Sequence, residues 1–144
     1  MSEADTTLAK NRVLVRRIYN EALLQGMLGI VEEIFSPDFV DHSTPDQPTG
    51  PGGVRAYFEA IRHGVPDVRV VIDDIVGEGE KVVVRTSWRG THMGSYEGVA
   101  PTGKVATRTL IQLFRIVDGV VVEEWNEGGG MLGSVLDSVQ RDSL

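Results

Sequence analysis

The sequence contains no cysteine, and this absence removes several chemistries at once. Without thiols the chain can form no disulfide, no thiolate nucleophile and no thiolate metal site. Long apolar runs are also missing, since no stretch approaches the roughly 18 consecutive apolar residues that a membrane span requires. The stretch from Met1 to Asp5 lacks the basic and apolar regions of a signal peptide, so we expect a cytoplasmic protein.

Basic charge is scarce, because 14 Lys and Arg residues stand against 21 Asp and Glu residues, for a net charge of −7. Proteins bind nucleic acid by neutralising phosphates with Lys and Arg, so nucleic acid is not an expected partner. The three histidines, at positions 42, 63 and 92, show no helical ligand spacing, and we expect no metal site. The chain also lacks a dinucleotide fingerprint and a nucleophile elbow, which argues against nicotinamide and hydrolase chemistry.

What is present is a composition typical of one globular domain, with 41% hydrophobic residues in a chain of 144. We therefore treat residues 1–144 as a single domain. Apolar residues at helical spacing predict three N-terminal helices and one C-terminal helix, over 8–25, 28–35, 54–63 and 131–139. Between them, β-branched runs predict strands over 68–76, 81–91, 105–117 and 120–126.

Helices followed by a meander of strands indicate an α+β fold. We expect a curved antiparallel sheet wrapped round the N-terminal helices, a cone-shaped half-barrel with a pocket between the two layers. A small molecule normally binds in such a pocket.

The last predicted strand ends in polar side chains followed by the glycine run Gly128–Gly130. Alternation puts Val120, Val122, Glu124 and Asn126 on one face, and Val121, Glu123 and Trp125 on the other. Glycine loses the most backbone freedom on ordering, so the chain must turn after this strand. Two polar groups, Glu124 and Asn126, are thereby predicted to point together into the pocket.

Several short segments carry a resemblance to a known family: GTHMG at 90–94, GVAPTGK at 98–104, LFRIVDG at 113–119 and EEW at 123–125. The N-terminal pieces LVRR at 14–17 and PDFVDH at 37–42 fit the same pattern. The chain resembles the SnoaL-like polyketide cyclases, small proteins of the nuclear-transport-factor-two-like fold, over nearly its whole length.

The resemblance implies a cofactor-independent enzyme that closes a ring in a hydrophobic, polyketide-like substrate by intramolecular aldol condensation. Its general base would be an aspartate at the position of Asn126, and a histidine of the founding cyclase matches Gln112. An amide is not a usable base near neutral pH, so the sequence differs from the family pattern at the residue expected to be the general base. Proteins of this fold often pair through the outer sheet face, so we expect a homodimer or homotetramer that uses Val121 and Trp125.

The residues left to move a proton are Asp41, His42 and Glu124, and Asn126 with Gln112 would hold the substrate oxygen. Because neighbours in an extended segment point opposite ways, at most one of Asp41 and His42 is expected to face the pocket. His92 is a candidate donor to a substrate oxygen. An aromatic wall for a planar substrate is predicted at Tyr19, Trp88 and Tyr57, whereas Phe58 and Phe114 are interpreted as core.

Two other functions stay open on the sequence alone. Some members of this group resemble cyclases yet hydroxylate with other components, or isomerise and open rings, and the missing aspartate fits such a shift. A protein that binds a small molecule without reacting would also lack the base.

Overall fold

The computed structural model describes residues 2–136. Its first helix, α1 (Glu3–Arg17), begins five residues before the predicted start because Ser2 and Asp5 form a capping box. The Ser2 hydroxyl accepts a hydrogen bond from the Asp5 backbone N–H at 3.0 Å, and the Asp5 carboxylate accepts one from the Ser2 N–H at 3.3 Å. The helix continues as a wider π-helical segment, Ile18–Leu24, and the chain turns at Gly26, whose φ is +70°.

The remaining elements follow closely on the predicted ones. A 3₁₀ turn (Leu28–Ile30) leads into α2 (Val31–Ile34), and α3 spans Pro51–Gly64. The strands are β1 (Phe35–Asp41), β2 (Arg69–Glu78), β3 (Lys81–Thr91), β4 (Val105–Val117) and β5 (Val120–Gly128). Residues 133–136 are helical, and the rest of the predicted C-terminal helix lies outside the described residues.

The five strands form one curved, unclosed sheet in the order β1-β5-β4-β3-β2, which confirms the predicted α+β class. Four strands are antiparallel neighbours, as expected, but β1 runs parallel to β5 and was not predicted as a strand. Pro37 stands inside β1 without penalty because β1 is the edge of the sheet, where a missing N–H breaks no ladder. This unpredicted strand brings Asp41 beside Glu124.

The helices cover the inner face of the sheet, and the core lies between the two layers. It joins Val15, Leu23 and Ile34 from the helices to Val82, Val84 and Ile116 from the strands, all at most 2% exposed. Across residues 2–136, no helix has the length and apolar character needed to cross a membrane.

A β-bulge in β5 changes which side chains face inward. Arg115 pairs with Glu123 but the next residue, Ile116, pairs with Val121, so Val122 is an extra residue. The uniform alternation predicted for this strand is therefore wrong across the bulge. Val121 and Glu124 both point inward, although three positions separate them, and Val121 is fully buried in the core.

The outer face of the sheet consequently carries a different apolar surface from the predicted one. Val121 contributes nothing to it, whereas Trp125 (37% exposed) and Ile111 (50% exposed) do. Association of copies through this face stays a prediction.

Candidate active site

A cavity of about 350 Å³ opens between the helices and the inner face of the sheet. Its walls are mostly aromatic and apolar, from Tyr19, Phe39, Tyr57, Phe58, Trp88 and Phe114. Phe58 and Phe114 therefore serve as cavity wall as well as core. Polar side chains gather at two places along this wall, one acidic and one cationic.

The acidic end consists of Asp41, Glu124, Asn126, Gln112 and Tyr19, which are linked by hydrogen bonds. Gln112 and Asn126 are directly paired on β4 and β5, and Gln112 Nε2 donates to Asn126 Oδ1 at 2.9 Å. The same nitrogen reaches Glu124 Oε2 at 3.4 Å, and Tyr19 donates its hydroxyl proton to Gln112 Oε1. Asn126 Nδ2 contacts both carboxylate oxygens of Asp41, at 3.2 and 3.3 Å.

The two carboxyl groups of the acidic end differ in how many donors they hold. Asp41 accepts from the Ser43 backbone N–H at 2.9 Å and the Thr44 hydroxyl at 3.1 Å, in addition to Asn126. Glu124 has only the 3.4 Å contact from Gln112 within the described chain. Hydrogen bonds to a carboxylate stabilise its charge and weaken it as a base, so the sparsely bonded Glu124 is the better candidate to take a proton.

Burial raises the pKa of Glu124 to about 8, and the neighbouring negative charge of Asp41 adds to the rise. The nearby side-chain amides of Asn126 and Gln112 favour the charged carboxylate and oppose that rise. Burial also raises the pKa of Tyr19 well above its usual value, so its hydroxyl remains a donor at neutral pH. A carboxyl group that titrates near pH 8 is suited to general acid–base work.

The cationic end consists of Arg108, Trp88, Thr86 and Tyr57. The Arg108 guanidinium carbon lies 4.0 Å from the centre of a Trp88 ring, and Arg108 Nη2 donates to the Tyr57 hydroxyl at 2.7 Å. Trp88 is held by a 2.8 Å hydrogen bond from its Nε1 to the Thr86 hydroxyl. Stacking of this kind orients the guanidinium without consuming its in-plane donors.

Six of the eight candidate residues line the cavity: Asp41, Glu124, Asn126, Tyr19, Trp88 and Gln112. The two histidines do not. His42 stacks on Trp125 on the outer face, with ring centres 4.7 Å apart. His92 is fully buried, and its Nδ1 contacts the Thr102 hydroxyl at 3.0 Å.

The two amides contact the carboxyl groups of the acidic end. Asn126 Nδ2 donates to Asp41, and Gln112 Nε2 donates to Asn126 and Glu124, so these contacts help to fix the carboxyl groups. That Asn126 and Gln112 also hold a substrate oxygen stays a prediction.

Two charged cavity residues, Glu97 and Arg108, are among those that the sequence argument missed. For Arg108 the signal was available, because the inward positions of β4 are Ala106, Arg108, Leu110, Gln112, Phe114 and Ile116. A cation on an otherwise largely apolar strand face is unusual. Within residues 2–136, no three His, Asp or Glu side chains are grouped so that they could hold a metal ion.

An α+β half-barrel that encloses an aromatic cavity with a buried, weakly bonded carboxyl group defines a small-molecule site. The chain belongs to the SnoaL-like polyketide cyclase family, whose model matches residues 13–128. The predicted family and fold are thus confirmed. No curated protein matches the sequence.

Solved structures agree with this assignment. AclR from Streptomyces galilaeus, a proposed hydroxylase, is 26% identical, covers 93% of this chain and 98% of its own, and has a TM-score of 0.77. IdmH from Streptomyces antibioticus, a proposed polyketide cyclase, is 27% identical with 86% and 96% coverage and a TM-score of 0.71. A proposed SnoaL-like polyketide cyclase from Jannaschia sp. CCS1 is 25% identical, with 96% and 95% coverage and a TM-score of 0.82.

Proposed function

We propose that the protein is a cofactor-independent enzyme that moves a proton on a carbonyl-containing, polyketide-like substrate, with Glu124 as the general base. The observation that carries the proposal is the contrast between the two carboxyl groups of the acidic end. Asp41 holds several close donors, whereas buried Glu124 holds one at 3.4 Å. Family membership and the aromatic walls support a planar substrate.

In the proposed reaction, the Glu124 carboxylate takes a proton from the carbon next to a substrate carbonyl. The resulting enolate carbon attacks a second carbonyl of the same molecule, so one carbon–carbon bond forms and that carbonyl becomes an alkoxide. The Glu124 carboxyl group then returns its proton to the alkoxide. Atoms balance without any added reactant. Gln112 keeps Glu124 oriented throughout, and Asn126 holds Asp41.

The test is proton abstraction itself, which does not require the natural substrate. Deuterium incorporation next to the carbonyl of 2-tetralone can be followed by NMR in deuterated buffer with and without the protein. The Glu124→Gln variant should lower the protein-dependent rate by about 10²–10⁴-fold, the usual contribution of a general base. Glu127→Gln, on the exposed outer side of the same strand, is the matched control and should keep the full rate.

Equal rates in the wild type and in Glu124→Gln would contradict the assignment of the base. A wild type that accelerates no exchange would contradict acid–base function altogether.

The likeness to AclR favours a second candidate, hydroxylation of a related substrate. An oxygen electrode separates the two reactions, because ring closure consumes no oxygen. A third possibility is a binding module whose pocket lacks the base. In that case the parent protein would show no proton abstraction, and Asn126→Asp would create it.

A further inference from the structure

Arg108 is a half-buried arginine on the cavity wall, and its environment differs from that of four surface arginines that form ion pairs. Arg17, Arg55, Arg85 and Arg115 each contact a carboxylate, at 2.6–3.2 Å. No carboxylate of residues 2–136 lies within ion-pair distance of Arg108, which lines the cavity instead. Its Nε atom is buried and has no hydrogen-bond partner in the described part of the chain.

An unpaired, partly buried cation is costly, because it loses hydration without gaining a counter-charge. Stacking on Trp88 returns only about 0.5–2 kcal/mol, and Tyr57 accepts one of the five N–H donors that a guanidinium carries. Most of the donor capacity of Arg108 is therefore unused. A ligand with matching acceptors would use it.

The geometry of a guanidinium selects the kind of acceptor. Its planar fork matches the two oxygens of a carboxylate and binds them side by side. Three carboxyl groups line the cavity, Asp41 and Glu124 at the acidic end and Glu97 elsewhere in its wall. Arg108 is the one Lys or Arg side chain among the described lining residues, so an anionic ligand is oriented with its carboxylate toward Arg108.

The spacing between the two ends suits a substrate of two or three fused rings. Arg108 and Gln112 point inward from β4 four residues apart, which is about 13 Å along a strand. Trp88, Tyr57 and Phe58 line the same cavity with flat aromatic rings.

We propose that Arg108 binds a carboxylate carried by an aromatic substrate, and that this contact places the reacting carbonyl at the acidic end. The inference deepens the proposed function and rests on it in one respect, that the bound aromatic carboxylate is a substrate. The binding contact itself depends on Arg108, Trp88 and Tyr57, and not on Glu124.

The test compares 2-naphthoate with 2-naphthamide, two ligands of nearly equal shape and different charge, by isothermal titration calorimetry. Wild-type protein should bind the carboxylate about tenfold or more tightly than the amide, as a charge-assisted hydrogen bond is worth. Arg108→Gln should remove that preference and leave the amide affinity within about twofold. Arg89→Gln, an exposed arginine on the outer side of β3, removes the same charge and should change neither.

Equal affinity of wild-type protein for the two ligands would overturn the inference, and so would an absence of naphthoate binding. This comparison needs no variant, so it decides the matter even where Arg108→Gln fails to fold. Glu124→Gln separates the two proposals, because it should stop proton exchange while naphthoate binding persists. Loss of naphthoate binding in Glu124→Gln, with retention in Arg108→Gln, would show that the anion binds at the acidic end and would overturn the inference.

Discussion

The two ends of the cavity hold charge in different ways. At the acidic end, Asp41, Asn126, Gln112 and Tyr19 form a continuous hydrogen-bonded set, and Glu124 sits beside it with one long contact. At the cationic end, Arg108 has an aromatic stack and one hydroxyl, and no opposite charge among residues 2–136. We propose proton transfer for the first end and anion binding for the second. An enzyme needs both, because binding energy far from the reacting atoms positions the substrate.

The largest expected effect is the pH dependence of proton exchange at the acidic end. A base whose pKa is about 8 is mostly protonated at neutral pH, so the rate should rise about tenfold per pH unit up to pH 8 and then level. The measurement is protein-dependent deuterium incorporation into 2-tetralone across this range, after subtraction of the buffer rate. A rate that falls above pH 8 would instead show that the protonated form is the active one.

The second prediction concerns stability and the same carboxyl group. Its pKa is raised from 4.5 to about 8 on folding, so the folded protein retains a proton that the unfolded chain releases between these values. Stability is therefore lost as the pH rises through this window, by roughly 1.4 kcal/mol per pH unit. The Gln side chain of Glu124→Gln cannot ionise, so in urea unfolding the free energy of unfolding of the variant should increase relative to the wild type from about pH 5 to about pH 8. Parallel pH profiles for the two proteins would show that the pKa of Glu124 is not raised on folding.

The third prediction concerns Asn126→Asp, which restores the carboxylate that the family resemblance leads one to expect. In this chain the new carboxylate would lie 3.2–3.3 Å from Asp41, where an amide N–H now donates. Loss of that hydrogen bond and the added repulsion should cost about 1–3 kcal/mol of unfolding free energy. Because the repulsion requires ionised groups, urea unfolding should show a larger loss at pH 8 than at pH 5. Asn126→Ala, which removes the donor without adding charge, should lose stability equally at both.

The smallest expected effect tests whether the two ends act separately. Tyr57→Phe removes the acceptor of Arg108 Nη2 and should weaken 2-naphthoate binding about two- to fivefold, as one hydrogen bond of about 1 kcal/mol implies. Tyr19→Phe removes a hydroxyl at the acidic end and should leave naphthoate affinity unchanged by calorimetry. A matching loss in both variants would mean that the ends are coupled.

The sequence predicted the helices, four strands and the shared strand face of Glu124 and Asn126 because these depend on local periodicity. Strand β1 was missed because Ser36 and Pro37 signal a break, and its pairing with β5 is a long-range contact that no local pattern encodes. For the same reason the distance from Asp41 to Asn126 could not be anticipated, since these residues are 85 positions apart. Arg108 could have been found from alternation along β4, whereas the bulge at Val122 could not, because a run of valines has no marker for an extra residue.

That bulge lets β5 lose one particular residue without changing which side chains face the cavity. Because Val122 is the extra residue, deleting it would leave Val121 opposite Ile116 and Glu123 opposite Arg115, so Glu124 and Asn126 would keep facing the cavity. Deleting Trp125 from the regular part of the strand would instead turn Asn126 to the outer face and Glu127 to the inner one, because side chains alternate with a period of two. Homologues of this protein are therefore best aligned by strand register before their active-site residues are compared.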